Sequence, residues 1–349
     1  MDRKKLVLSI IFTLLVVLVL YNVNNTKTSY AAGDTLAEVV KNLATTANCN
    51  AGASGVCKTN DTDYRYVGAN VNNYVKFNND MYRIIGVFSD NTHGVTGKEL
   101  VKLIRSRKLG GSSWGVNNGT DNATYSAYNN LWVDSSTPNV PKANLNILLN
   151  EYFLNKTDTS TTFGDCSNWN YYYSSDTCKT KDCSDIVSYG IDSSSRTYIE
   201  DAKWYLNGPT TQLTKVNTYT CERGTNTTSC AVATNGSSST TAKIGLMYAS
   251  DYLYASSYYS STDTSKTSSS NYFGNKNWLY KGYEWTITPY GSDSSIAWIV
   301  DYGVLYSSYT DYPIGWRPSF YLKSDVYITG SGDGSFNNPY TLGCDTCGS

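Results

Sequence analysis

The sequence predicts an α+β fold, with antiparallel strands, two main helices and long polar loops. Three observations predict it. Apolar and polar residues alternate with period two near both ends of the chain, apolar residues recur with helical spacing in two central segments, and the intervening stretches are rich in Ser, Thr, Asn and Asp without any period. Strands first, helices next and strands last describe an α+β domain rather than a βαβ array.

The chain opens with Arg3, Lys4 and Lys5 ahead of an uncharged apolar block from Leu6 to Leu20. Basic residues stay on the cytoplasmic side, so everything after Tyr21 is expected outside the cell. The block is shorter than the ~20 apolar residues of a comfortable membrane span. Residues 1–32 therefore read as a signal peptide or a membrane anchor, with Ser29-Tyr30-Ala31 as a cleavage site lying far from the block. Any membrane contact is expected through this segment alone, and the protein is expected to be extracellular or at the cell surface.

Residues 33–62 read as an amphipathic helix followed by a small disulfide loop. Thr35 and Glu38 have capping-box spacing, and Leu36, Val39, Val40 and Leu43 share one face. Gly33-Asp34-Thr35-Leu36 is similar to a prepilin cleavage site, but there the long apolar helix follows the site and here it precedes it. Residues 63–343 read as the α+β surface module, and 344–349 as a CxxC tail.

Within the module, Tyr64 to Val67 reads as a strand. Tyr74 to Phe77 and Met81 to Phe88 flank Asn78-Asn79-Asp80 as a hairpin, and Leu100 to Ile104 completes an antiparallel meander. The two main helices are expected over Lys142 to Leu154 and over Tyr198 to Leu206, the second stopped by Gly208-Pro209. Segments 157–196, 225–241 and 256–272 read as surface loops. Strands return at Ile244 to Tyr248, Trp285 to Thr288, Ile296 to Val300, Gly303 to Tyr306, Trp316 to Leu322 and Val326 to Thr329.

The nine cysteines fall into local groups. Outside the cytosol these read as short disulfide loops. The expected pairs are Cys49 with Cys57, Cys221 with Cys230, and Cys344 with Cys347. A redox role for Cys344-Asp345-Thr346-Cys347 would need a helix N-terminus to depress a thiol pKa, and nothing there predicts a helix. Cys166, Cys178 and Cys183 leave one odd thiol unassigned.

Several segments together carry a resemblance. They are Tyr64-Arg65-Tyr66-Val67-Gly68-Ala69-Asn70, Tyr82-Arg83-Ile84-Ile85-Gly86-Val87, Ala202-Lys203-Trp204-Tyr205-Leu206, Ile244-Gly245-Leu246-Met247-Tyr248, Gly315-Trp316-Arg317-Pro318 and Tyr321-Leu322-Lys323-Ser324. Their order resembles a group of uncharacterised exported proteins of gut Firmicutes and related wall-less bacteria. Those proteins in turn are similar to C-type-lectin-fold modules of the sulfatase-modifying-factor type. The resemblance implies a C-type-lectin-like core in which a closing strand near a Gly-x-Arg motif pairs with early strands. The calcium motifs of true C-type lectins and the redox-active cysteine pair of formylglycine-generating enzymes are not found in this sequence. Neither chemistry is therefore carried over.

Composition narrows the function. Charged residues are only 16% of the chain and the net charge is −1, so there is no electrostatic footprint for nucleic acid. Tyr outnumbers Phe by 32 to 8, so most of this aromatic area carries a polar handle suited to an exposed binding face. His93 is the only histidine, placed in a loop-like Asp90-Asn91-Thr92-His93-Gly94, and any Ser-His-Asp or Cys-His system would have to use it. No zinc constellation is available, and neither metal nor cofactor is expected. Asp333-Gly334-Ser335-Phe336-Asn337-Asn338 reads as a polar turn, lacking the alternating acids of an EF-hand loop.

Tyr290 to Tyr312 is the candidate binding surface. Tyr290, Trp298, Tyr302, Tyr306, Tyr309 and Tyr312 are interleaved with Ser, Asp and Gly, with Trp316 and Arg317 close behind. Such a mix resembles antibody paratopes and suits a glycan, a wall polymer or a surface protein. Arg317 also has a structural reading, as a strand-end cation bonding a buried carboxylate or carbonyl. The expected function is a non-enzymatic secreted or cell-surface binding protein. One alternative is a self-assembling structural or pilus-like subunit. The other is a carbohydrate-active hydrolase using Glu284 and Asp301 as paired carboxylates.

Overall fold

The computed structural model describes residues 33–348 apart from 47–48, 51, 60–61, 110, 113, 115–131, 133–142, 157–188, 233–236, 259–275, 294, 311 and 313. The signal or anchor segment and Cys166, Cys178 and Cys183 lie outside the described residues. Among the described residues no helix is long and apolar enough to cross a membrane.

Local chemistry starts the fold as the sequence predicts. Helix α1 (Leu36–Asn42) begins with a reciprocal box in which the Glu38 backbone N–H donates to the Thr35 hydroxyl and the Thr35 backbone N–H donates to the Glu38 carboxylate. Its Leu36, Val39 and Val40 are buried. Strands β1 (Ala44–Thr46), β2 (Gly55–Lys58) and β3 (Tyr64–Val67) follow, then β4 (Tyr74–Phe77) and β5 (Asp80–Phe88). Asn78 and Asn79 both take positive φ, 52° and 57°, which is the type I′ geometry that suits the right-handed twist of a tight hairpin.

Strand β6 (Leu100–Arg105) runs antiparallel to β5, and β17 (Ser319–Tyr321) runs antiparallel to β6. On its other side β5 pairs with β4 over its first half and with β3 over its second, so the main sheet branches there. Gly86 faces Arg65 where the β5–β6 register shifts, and a Cβ at Gly86 would lie 2.1 Å from the Tyr64 carbonyl oxygen. The chain returns at its end to where it began: β19 (Tyr340–Gly343) lies parallel to β4 and antiparallel to β18 (Tyr327–Thr329).

A second sheet has five strands in the order β15 (Val304–Tyr309), β14 (Ile296–Asp301), β13 (Glu284–Pro289), β16 (Ile314–Gly315) and β7 (Gly111–Ser112). Helix α6 (Ala249–Ala255) packs against β3 of the first sheet and against β13, β14 and β15 of the second. All seven of its residues are buried, as expected for a helix enclosed on every side. Mostly strands with few helices, the architecture is α+β.

Three expectations require correction. The segment Tyr198 to Leu206 is not a helix: Ala202–Tyr205 is strand β8, and Asn207–Pro209 is strand β9. Ala202 and Trp204 are buried while Lys203 and Tyr205 are half-buried, so the period is two, and pairing with β11 (Ser239–Ala242) outweighs the helical spacing. Consequently 225–241 is not all loop, because β10 (Cys230–Val232) pairs with β9. The first main helix exists over Asn144–Ile147 (α3) and continues as a π-helix through Leu148–Phe153. Besides α1, α3 with its π-helical continuation, and α6, two short helices that the sequence did not predict bury residues: α5 (Lys215–Glu222) and α2 (Asp90–His93).

Disulfides join Cys49 to Cys57, Cys221 to Cys230 and Cys344 to Cys347, as the spacing predicts.

Candidate functional site

The β14–β15 hairpin displays the tyrosines. Asp301 pairs with Val304, leaving a turn of Tyr302 and Gly303 with φ of 44° and 84°. A bulky residue rarely enters the left-handed region, and such strain gathers at functional positions. The turn is held from beneath, where the Tyr252 hydroxyl on α6 donates to the Gly303 carbonyl at 2.9 Å. Tyr302 is 62% exposed, and Tyr306, Tyr309 and Tyr312 are exposed further along the same stretch. The Tyr309 and Tyr312 rings lie 6.2 Å apart. Four of the seven large exposed hydrophobic side chains among the described residues fall in this single stretch, so the cluster is not a scatter of ordinary surface residues.

Three predicted ligand residues are buried instead: Trp298 on the same hairpin, and Trp316 and Arg317 just after β16. Trp298 is buried and donates its indole N–H to the Pro209 carbonyl at 3.1 Å. Trp316 is buried in the core. Arg317 is buried against Glu284, with Nε to Oε2 at 2.7 Å and Nη2 to Oε1 at 2.5 Å, and donates also to the Leu279 carbonyl at 2.6 Å. This forked pair removes Glu284 from solvent, so the Glu284–Asp301 hydrolase reading loses one of its two carboxylates. Tyr290 is half-buried, packed at a tilt of 34° against Trp298 with ring centroids at 5.4 Å, and its hydroxyl donates to the Thr210 carbonyl.

Charge is nearly absent from the display. No Lys or Arg occurs between Gly282 and Trp316, where the acids are Glu284, Asp293, Asp301 and Asp311. Burial raises the Asp301 pKa, opposed by a hydrogen bond from the Tyr302 backbone N–H.

His93 is buried in α2 rather than exposed in a loop. Its Nε2 faces the Phe88 carbonyl at 3.0 Å and the Val95 N–H donates to Nδ1 at 3.2 Å, so both nitrogens are committed to backbone and no nucleophile is activated through them. Burial lowers its pKa. Asp333 accepts from the Ser335 N–H inside a polar turn. Asp325 lies close to Cys344 and Cys347, but the disulfide occupies both sulfurs. An open notch of roughly 450 Å³ beside it is lined by Gly33, Asp325, Tyr327, Asp345 and Thr346.

Sequence reasoning missed a buried charged seam between the main sheet and α6. Arg65 on β3 donates from Nη1 to Asp251 Oδ1 at 2.8 Å, and Lys102 on β6 donates to Asp251 Oδ2 at 2.7 Å. Asp63 accepts from Ser89, Thr92 and Tyr219. Glu222, at the end of α5, accepts from Ser250 and Thr288. The signal was available: Arg65 lies between Tyr64 and Tyr66, and Lys102 between Val101 and Leu103, and flanking apolar or aromatic residues mark a charge for burial rather than for solvent.

No family model, curated protein or solved structure matches this chain.

Proposed function

We propose that this is an exported, non-enzymatic binding protein with a C-type-lectin-like core, and that the tyrosine edge of β15 holds a carbohydrate chain lacking anionic groups. One observation carries the reading: Tyr302, Tyr306 and Tyr309 stand exposed on a single hairpin whose turn is strained outward and anchored from below. Sugar rings present apolar faces that stack on aromatic rings, and their hydroxyls bond phenols and the nearby Ser307 and Ser308. The absence of cations between Gly282 and Trp316 argues against an anionic wall polymer, which would meet Asp293 and Asp301 instead. Closure of the chain by β19 on β4 and by β17 on β6 supports the lectin-like core. The disulfides support export to an oxidising compartment.

Self-assembly is the second reading, because β15 carries no strand on its outer side among the described residues and contains neither Lys nor Pro to blunt that edge. One experiment addresses both. Replacing Tyr302, Tyr306 and Tyr309 together by Ala should weaken binding to neutral glycans on an array by more than about tenfold, with an unchanged melting temperature. Undiminished glycan binding would place the site elsewhere. Concentration-dependent growth in light scattering, lost in the same variant and without glycan binding, would establish the assembly reading instead.

A further inference from the structure

Lys102 and Asp251 meet in a place built like a reaction site. Lys102 stands in the middle of β6 and Asp251 in the first turn of α6, and both side chains are fully shielded from solvent. The amine is 2.7 Å from Asp251 Oδ2 and is walled by the rings of Trp204, Tyr248 and Tyr321, whose centroids lie at 4.8, 4.4 and 5.4 Å. The opposite oxygen, Oδ1, accepts from the Arg65 guanidinium at 2.8 Å. The Tyr248 backbone N–H donates to Oδ2 at 2.9 Å. Burial pulls the Lys102 pKa down to about 8 against the attraction of Asp251, whose own pKa, raised by burial, is held down to about 2 by Lys102 and Arg65. An amine held against a carboxyl, with a donor fixed on the other oxygen and bulk water excluded, combines the orientation and electrostatic elements of acyl transfer.

We propose that Lys102 and Asp251 condense into an intramolecular isopeptide bond that ties β6 to α6. One ammonium proton passes from Nζ to Oδ2, leaving a neutral amine beside a neutral acid. The nitrogen lone pair attacks Cγ, and the displaced electron pair settles on Oδ1 opposite the Arg65 guanidinium. A second proton then moves from nitrogen to Oδ2, which leaves as water while the carbonyl re-forms at Oδ1. Ammonium and carboxylate become one amide and one water, with no oxidant, reductant or co-reactant required. The product replaces two buried charges by a neutral amide, removing their desolvation penalty. Arg65 keeps the amide oxygen and also the nearby Asp63, whose Oδ2 lies 3.6 Å from its Nη2. The inference is independent of the tyrosine edge.

Peptide mapping of the full chain tests it. The purified protein is reduced, alkylated, digested with trypsin and weighed by mass spectrometry. The expected product is Glu99–Arg105, uncut after Lys102, joined to Ile244–Lys266 at their summed mass less one water. Recovery of both peptides unlinked, with complete cleavage after Lys102, would overturn the proposal and leave a structural ion pair. Wild-type protein alone decides this, whether or not variants fold. Asp251→Ala should abolish the linked species, whereas Asp251→Asn, expelling ammonia in place of water, should yield the same linked peptide. Persistence of the link in Asp251→Ala would likewise overturn the assignment of the acceptor.

Discussion

Between the main sheet and α6, the rings of Tyr219, Tyr248, Tyr254 and Tyr321 are buried and face cations; along β15, those of Tyr302, Tyr306 and Tyr309 are exposed in a stretch without a single Lys or Arg. Arg65 lies 4.6 Å from the Tyr254 centroid, and Arg223 lies 3.6 Å from that of Tyr219. In the interior the ring face substitutes for water around a charge. At the edge the same face is left for something outside the molecule. The residue type does not decide between these roles. What differs here is the neighbourhood: Arg65, Lys102 and Arg223 reach the buried rings, and the chain brings no such cation into the stretch that carries the exposed ones.

The largest effect is expected where Arg317, between β16 and β17, is forked to Glu284 at the start of β13. Glu284→Ala should cost about 3–5 kcal/mol in urea unfolding, because it leaves a buried guanidinium with its counter-charge removed. A loss below about 1 kcal/mol would mean that the pair is hydrated and Arg317 is open to ligands after all.

How much of this could be read from the chain alone depended on the range of the forces involved. The Thr35–Glu38 box, the Asn78-Asn79 turn and strands β13 to β15 were legible because neighbours in sequence set them. Strand β8 was not, since its helical spacing yields only to a partner, β11, some thirty-five residues away. Half of the candidate site was legible for the same reason. Alternation says that some rings in 290–312 face out, but the turn at Tyr302-Gly303 and the carboxylate awaiting Arg317 determine which ones do.

Acid should weaken the interior through one identifiable group. The folded-state pKa of His93 is depressed by burial, while the unfolded chain takes up a proton near pH ~6.5. Between those two values the unfolded state binds more protons, so the His93 contribution to stability falls as pH drops below about 6.5. Glu222 is raised by burial and acts with the opposite sign, so the informative quantity is the difference between wild type and His93→Gln. Urea midpoints measured across this range should decline more steeply for the wild type. Parallel profiles would show that His93 titrates normally and is reached by water. As the chain has no other histidine, the difference has a single source.

The finest distinction comes from deleting one phenolic oxygen on each side of the same hairpin. Tyr252→Phe removes the hydroxyl that donates to the Gly303 carbonyl and should cost about 1 kcal/mol, with the turn relaxing and Tyr302 losing its fixed outward position. Tyr306→Phe removes a hydroxyl from an exposed ring and should leave stability within about 0.5 kcal/mol. Their effects on glycan binding should be reversed in kind. Tyr306→Phe keeps the stacking face and loses only a hydrogen bond, whereas Tyr252→Phe touches no ligand yet should weaken binding by loosening Tyr302. If Tyr252→Phe destabilises the protein and leaves glycan affinity unchanged, the strained turn is an architectural feature alone, and the edge does not need Tyr302 held in place to work.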